Sequence, residues 1–218
     1  MYHKRKTFVL DHVKDHAAIY SFMIILFLTG VIFGAIIVNS MTFVQKQDLF
    51  FYLERFFGQI SDGQTIENST IFKESFFYHV KYLLLLFVLG LSVIGLPIVW
   101  ILLFSKGLVI GFSVGFIVNQ LASQDLFLQG LFLSSLSIAP QNLVIIPIYL
   151  VAGSLSMIFS LTLLRKLFSR TVSFPILQPL GKYAMVFTVL IGLSFIPALL
   201  EAFVANEAME SMIRSYYE

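Results

Sequence analysis

The groups that could take or give a proton near neutral pH are few in this chain: four histidines and twelve carboxylates among 218 residues, with no cysteine. Their spacing decides what chemistry is within reach. His12 and His16 stand four apart, a metal-ligand spacing on a helix. No third ligand sits beside them, and exposed polar residues on a basic interfacial turn account for the pair. A serine enzyme working inside a membrane needs a buried serine with a histidine in reach, an aspartyl enzyme needs paired acids, and a metalloenzyme needs a ligand cluster. His3, His12, His16 and His79 all fall in arms or at the edges of apolar runs, and Glu201, the acid furthest into a run, lies a few residues from its end. A phosphate-binding glycine loop and a His-Glu-x-x-His pattern are both missing. Without cysteine there are no disulfides, thiolates or cysteine metal sites. The expectation is a non-enzyme with no catalytic residue, cofactor or metal.

One polar group of residues stands apart. Gly130, Ser134, Ser137 and Gln141 align as i, i+4, i+7 and i+11, with Asn142 beside them and Pro140 just before. On a helix they make a small, polar stripe that must face protein or water, because lipid leaves polar groups unsatisfied. A stripe of this kind next to a proline resembles the broken-helix sites of membrane carriers. Charged residues that would couple ions are missing from it.

The elements that hold these residues are membrane spans. The chain is 58% hydrophobic and 12% charged, with a mean hydropathy of +0.91. That much apolar surface cannot be buried in a core of its own, so lipid must cover it. A span needs roughly 20 apolar residues to cross about 30 Å of hydrocarbon. Five stretches qualify: Ala18 to Val38, Val80 to Phe104, the shorter Leu108 to Leu121, Leu143 to Leu164, and Ala184 to Phe203. With the N-terminus inside, Lys4, Arg5, Lys6, Lys14, Lys106, Arg165, Lys166, Arg170 and Lys182 all fall on the inner side, while the outer segments are acidic. Basic residues of short loops stay inside, which predicts an N-in, C-out all-α protein of one polytopic domain over residues 1–218. Ile37 to Thr42 carries no small-residue cleavage pattern, so the first span is expected to be retained. The formal charge of +2 gives no reason to expect a nucleic-acid partner.

Between the spans lie an outer loop over residues 39–79, an interfacial or re-entrant segment over 122–142 on the outer side, closed by Pro140, and a basic cytoplasmic loop over 165–182. The basic loop would sit against anionic inner-leaflet lipid. Within the outer loop Leu49, Leu53, Phe56, Phe57 and Ile60 recur at helical spacing, with Gln47, Asp48, Glu54, Arg55 and Gln59 on the other faces. This amphipathic helix either lies in the headgroup layer or docks the extracytoplasmic part of another protein. Gly107, Gly111 and Gly115 form one stripe and Gly30 with Gly34 a shorter one, which are faces for close helix packing, within one chain or between the chains of a homo-oligomer.

The stretch Gly30 to Asn39 (GVIFGAIIVN), the following Lys46, Gln47 and Asp48, then Phe56, Phe57 and Gly58, and finally Ala139 to Ala152 (APQNLVIIPIYLVA) resemble the stage II sporulation protein M family over nearly the whole length. The broader family carries Pro-His-Gly followed by an acid where this chain has Pro140, Gln141 and Asn142, so titratable groups are lost here. The resemblance implies a non-enzymatic scaffold in the mother-cell septal and engulfing membrane. It would recruit and hold two membrane-anchored peptidoglycan hydrolases, a lytic transglycosylase and an amidase/endopeptidase. A small carrier or channel for a lipid or cell-wall precursor is the competing expectation, and a cavity reaching Gln141 and Asn142 would favour it.

Overall fold

The structure, a computed structural model, describes residues 8–49, 51–52, 67–122, 127–168 and 177–205, with the backbone alone for 8–10, 120–122, 127–138 and 177. Every regular element among them is helical. A short α1 (Phe8–Asp15) leads into α2 (Ala17–Ser40), and residues 43–49 form a further helical stretch. Next come α3 (Asn68–Gly90), α4 (Gly95–Ala122), α5 (Phe127–Phe168), α6 (Leu177–Leu193) and α7 (Phe195–Leu199), which continues into a π-helical turn over Leu200–Ala205. Four stretches are long and apolar enough to cross a membrane: Ala17–Ser40, Gly95–Asn119, Ala139–Phe168 and Gln178–Ala205. This is a multi-pass membrane protein.

The span expected from Val80 to Phe104 is two helices. The chain reverses over Leu91–Ile94, held by Leu91 N–H to the Val88 carbonyl, Ser92 N–H to the Leu89 carbonyl and Ile94 N–H to Ser92 Oγ. Gly95 fits because a Cβ there would fall into the Leu89 backbone. Pro97 does not kink a span; it occupies the first turn of α4, where its missing N–H costs no helical bond. The turn is built almost wholly of apolar residues, which is why hydropathy ran through it. Two corrections follow. Leu108 to Leu121 is the second half of α4, and the outer segment expected over residues 39–79 ends at Asn68, where α3 begins.

The hairpin makes α3 and α4 antiparallel, with Tyr82 Oη donating to the Leu102 carbonyl at 2.9 Å. α2 runs parallel to α4, since Gly30 meets Phe104 and Leu108 while Gly34 meets Leu108 and Phe112. α5 runs alongside α3: Tyr149 lies level with His79, Ser156 with Leu86 and Ser160 with Ser92. α6 runs back the other way, with Tyr183 against Phe87 and Ser156 near the hairpin turn, and the π-helical turn reaches Ser75. The buried core sits between α3, α4, α5 and α6 around Leu83, Leu86, Leu103, Ala152 and Phe187, with Met23 of α2 completing it.

Residues 127–138 are the start of α5, which runs through Pro140 and Pro147, so Pro140 does not close a separate helix. A proline inside a membrane helix is tolerated where neighbouring groups re-satisfy the freed carbonyl.

Candidate functional site

The polar residues gather in a cleft of about 500 Å³ between α2, α3, α4, α5 and the π-helical turn. α3 supplies Ser75 and His79 four apart on one face, and Tyr78 with Tyr82 four apart on the next. Ser75 and His79 are buried. The Ser75 hydroxyl donates to Glu201 Oε2 at 2.5 Å and lies 3.3 Å from His79 Nε2, while His79 Nδ1 lies 2.7 Å from the Tyr149 hydroxyl. With the imidazole proton on Nε2 the bonds run one way, from Tyr149 through His79 and Ser75 to Glu201. The His79 and Glu201 side chains stand 3.9 Å apart. Glu201 is presented by a π-helical turn, a local irregularity that recurs at functional positions.

This order of bonds differs from that of a nucleophile, base and carboxylate relay. There the histidine takes the serine proton and its other nitrogen faces the acid. Here the serine proton is committed to the acid itself, and the far nitrogen faces a phenol.

Lys106 is the second component. The expectation placed it in a cytoplasmic loop; it stands in the middle of the Gly95–Asn119 span. Its ammonium donates to Tyr78 Oη at 2.6 Å and sits 4.2, 5.0 and 5.3 Å from the ring centres of Tyr78, Tyr82 and Tyr149. A lysine at the centre of a span costs about 2.5–3.5 kcal/mol on the insertion scale. Contact with aromatic faces is worth about 0.5–2 kcal/mol, which offsets the cost in part. No carboxylate among the described residues lies within 4 Å of it.

The third component is the amide pair. Gln141 and Asn142 both line the cleft, and Gln141 Oε1 is buried with no hydrogen-bond partner among the described residues. Gly130, Ser134 and Ser137 precede them on α5, in the part whose backbone alone is described. The cleft therefore joins one end of the expected stripe to four groups missed at the sequence level: Ser75, His79, Lys106 and Tyr149. The Ser75/His79 and Tyr78/Tyr82 pairs at i, i+4 were a usable signal. So was a lysine set inside a long apolar run.

The remaining residues lie elsewhere. Gly30, Gly34, Gly107 and Gly111 form the α2/α4 seam, where a Cβ on any of them would strike the backbone of the facing helix, and a Cβ on Gly115 would come within 3.3 Å of the Ala35 Cα, a tight contact but not a collision. Leu49 ends the stretch over residues 43–49, which Lys46 ties to α4 through a 2.9 Å bond to Asn119 Oδ1. Leu53, Phe56, Phe57 and Ile60 lie outside the described residues. His12 and His16 pack ring on ring at 4.6 Å, and His16 Nδ1 is 3.0 Å from the His12 carbonyl. Burial, reinforced by His16, holds the His12 pKa below its usual range. Among the described residues no cluster of three His, Asp or Glu is placed to hold a metal.

No curated protein and no solved structure matches the chain. A family model does, over residues 23–206, from the second turn of α2 through the π-helical turn, and so across every helix that builds the cleft. On that match the chain belongs to the family of stage II sporulation protein M, a family of sporulation membrane proteins.

Proposed function

We propose that the protein is a non-enzymatic membrane scaffold of engulfment, which recruits and holds membrane-anchored peptidoglycan hydrolases, a lytic transglycosylase and an amidase/endopeptidase, in the mother-cell septal membrane. The observation that carries this is the family match over residues 23–206. Support also comes from the apolar faces that α2, α4 and α6 leave open, among them Ile25, Ile32 and Met185, where lipid or the anchors of partner proteins fit. In this reading α2 to α6 cross the membrane in alternating directions, five crossings with the N-terminus inside and the C-terminus outside. The outer segment around Phe56 and Phe57 then docks the enzymes.

The test is recovery of the tagged protein from engulfing cells with its bound partners. Both hydrolases are expected with the wild-type chain, and neither with the Phe56→Ser, Phe57→Ser double variant present at normal level. Recovery of the wild-type protein without them overturns the scaffold. A cysteine at Glu207 should react with an impermeant reagent in intact cells and one at Ser169 should not; the reverse pattern overturns the orientation.

The second reading, a small carrier or channel for a lipid or cell-wall precursor, is favoured by the cleft itself. It reaches Gln141 and Asn142, as a carrier requires, and brings to them the ionisable groups that the stripe lacked. A flux assay in vesicles of purified protein tests it. Movement of a fluorescent phospholipid between leaflets, abolished by Lys106→Met, is the expected result. Rates equal to protein-free vesicles overturn it.

A further inference from the structure

Two kinds of residue line the cleft. Lys106, Tyr78, His79, Glu201, Gln141 and Asn142 are polar. Phe27, Val109, Ile110, Ile145 and Ile146, on the same helices or on α2, are apolar. An occupant that satisfies both has a charged or hydrogen-bonding end joined to hydrocarbon. The volume fits a headgroup and the first carbons behind it, which places the remaining chain among the surrounding lipid.

Charge selects the headgroup. Glu201 is engaged by Ser75 and stands near His79, whereas Lys106 meets, among the described residues, a phenol and three ring faces. Of its three N–H donors, one is spent on Tyr78 Oη. An ammonium held in the middle of a span, with donors to spare and no described carboxylate within 4 Å, is complementary to an anion brought in from outside the chain. Gln141 Oε1 adds an acceptor with no donor among the described residues, which a hydroxyl or amine of the same headgroup can fill. Glu201 accepts from Ser75 and stands 3.9 Å from His79, and among the described residues it makes no ion pair within 4 Å with Lys106. Exposed Glu74 and Tyr78 line both the cleft and a neighbouring hollow flanked by Lys73 and Lys81, so the rim carries two lysines and one carboxylate.

We propose that this cleft is a binding site for the phosphodiester headgroup of a phospholipid, with the phosphate on Lys106 and Tyr78 and the headgroup's terminal donor on Gln141. A scaffold and a carrier would both present such a site, so the proposal stands apart from the choice between them.

The test is native mass spectrometry of the purified protein in detergent, titrated separately with dioleoyl phosphatidylglycerol, with dioleoylglycerol, which lacks the phosphate, and with inorganic phosphate. Phosphatidylglycerol is expected to be retained and dioleoylglycerol not. Lys106→Met should weaken retention by about tenfold or more, the scale of losing a charge-assisted contact. Lys106→Arg, which keeps the charge and can stack on the same rings, should restore most of it and so separates loss of the site from loss of the fold. Lys182→Met, an exposed lysine on α6, should change binding less than about threefold on the same scale and reports general attraction to anionic lipid. Three outcomes overturn the proposal: equal retention of phosphatidylglycerol and dioleoylglycerol, equal losses in Lys106→Met and Lys182→Met, or binding of inorganic phosphate without the lipid, which would make the site one for a free anion.

Discussion

α4 has two sides that could hardly differ more. Toward α2 it presents Gly107 and Gly111, so close to Phe27 and Val31 that even a methyl group would collide with backbone. Toward α3 and α5 it presents Lys106, one residue before Gly107, to a cleft with room for a guest. Neighbouring residues on a helix point about 100° apart, so a single step in sequence separates a dry seam from a polar chamber. In lipid there is no hydrophobic drive to bring helices together, and small residues that allow close approach supply dispersion in its place. The seam therefore holds the bundle, and the cleft, whose polar groups cost free energy to place there, is where function is to be sought.

The largest effect should come from breaking the seam. Gly111→Leu sets a side chain against the Val31 backbone, which cannot move aside as a flexible side chain could. The expected loss is roughly 1–3 kcal/mol of stability, the ordinary cost of overpacking, seen as a lower midpoint in thermal unfolding in detergent. Gly192→Leu on α6 is the contrast. Nothing lies within 4 Å of where its Cβ would be, so the change should stay within about 0.5 kcal/mol. Equal midpoints for the two variants would sink the distinction between a covered glycine and an open one.

The cleft should respond less, and differently. Tyr149→Phe keeps the ring that Lys106 faces but removes the hydroxyl 2.7 Å from His79 Nδ1. A buried nitrogen left without its partner costs about 1–3 kcal/mol, while double-mutant cycles within membranes give nearer about 0.6 kcal/mol for a hydrogen bond. Because Glu201 is part-exposed and water can reach this end, we expect the lower figure. Stability of Tyr149→Phe should thus exceed that of Gly111→Leu, while phospholipid retention is kept because Lys106 is untouched. A fall as deep as that of Gly111→Leu would mean that the hydrogen-bonded chain, and not only the seam, holds the bundle.

Much of the seam was legible in the sequence, and little of the cleft. Glycines repeated every fourth residue carry their own geometry, so the spacing of Gly107, Gly111 and Gly115 alone puts them on one face. The cleft depends on which helices lie side by side, and that hinged on the turn at Leu91–Ile94. Hydropathy averages over many residues and cannot register a reversal made of leucine, valine and isoleucine. The markers were local: Gly90 and Gly95 around Ser92, with Pro97 just beyond. Missing the turn moved Lys106 to a loop and His79 to an interface, and it left Gln141 and Asn142 as an isolated amide pair. Glu201 is part-exposed; its partners Ser75 and His79, over a hundred residues earlier, could not be inferred from spacing.

The smallest effect is expected at the far end of the seam, where Lys46 bonds Asn119. The bond closes the side on which α2 and α4 leave each other, a polar contact at the end of an interface otherwise made by glycines. Its partner is neutral and the pair is only part-buried, so water can replace it on either side. A net hydrogen bond of this kind is worth about 0.5–1.5 kcal/mol and less when solvent competes. Lys46→Met should leave the thermal midpoint within about 0.5 kcal/mol of wild type, since the glycine contacts below it are untouched. What should change is local: amide exchange over residues 43–49 should speed up while exchange in the Gly30 to Gly34 turns stays as slow as before. Faster exchange in both places would show that the seam unzips from Lys46, and that its strength lies at its polar end and not in its glycines.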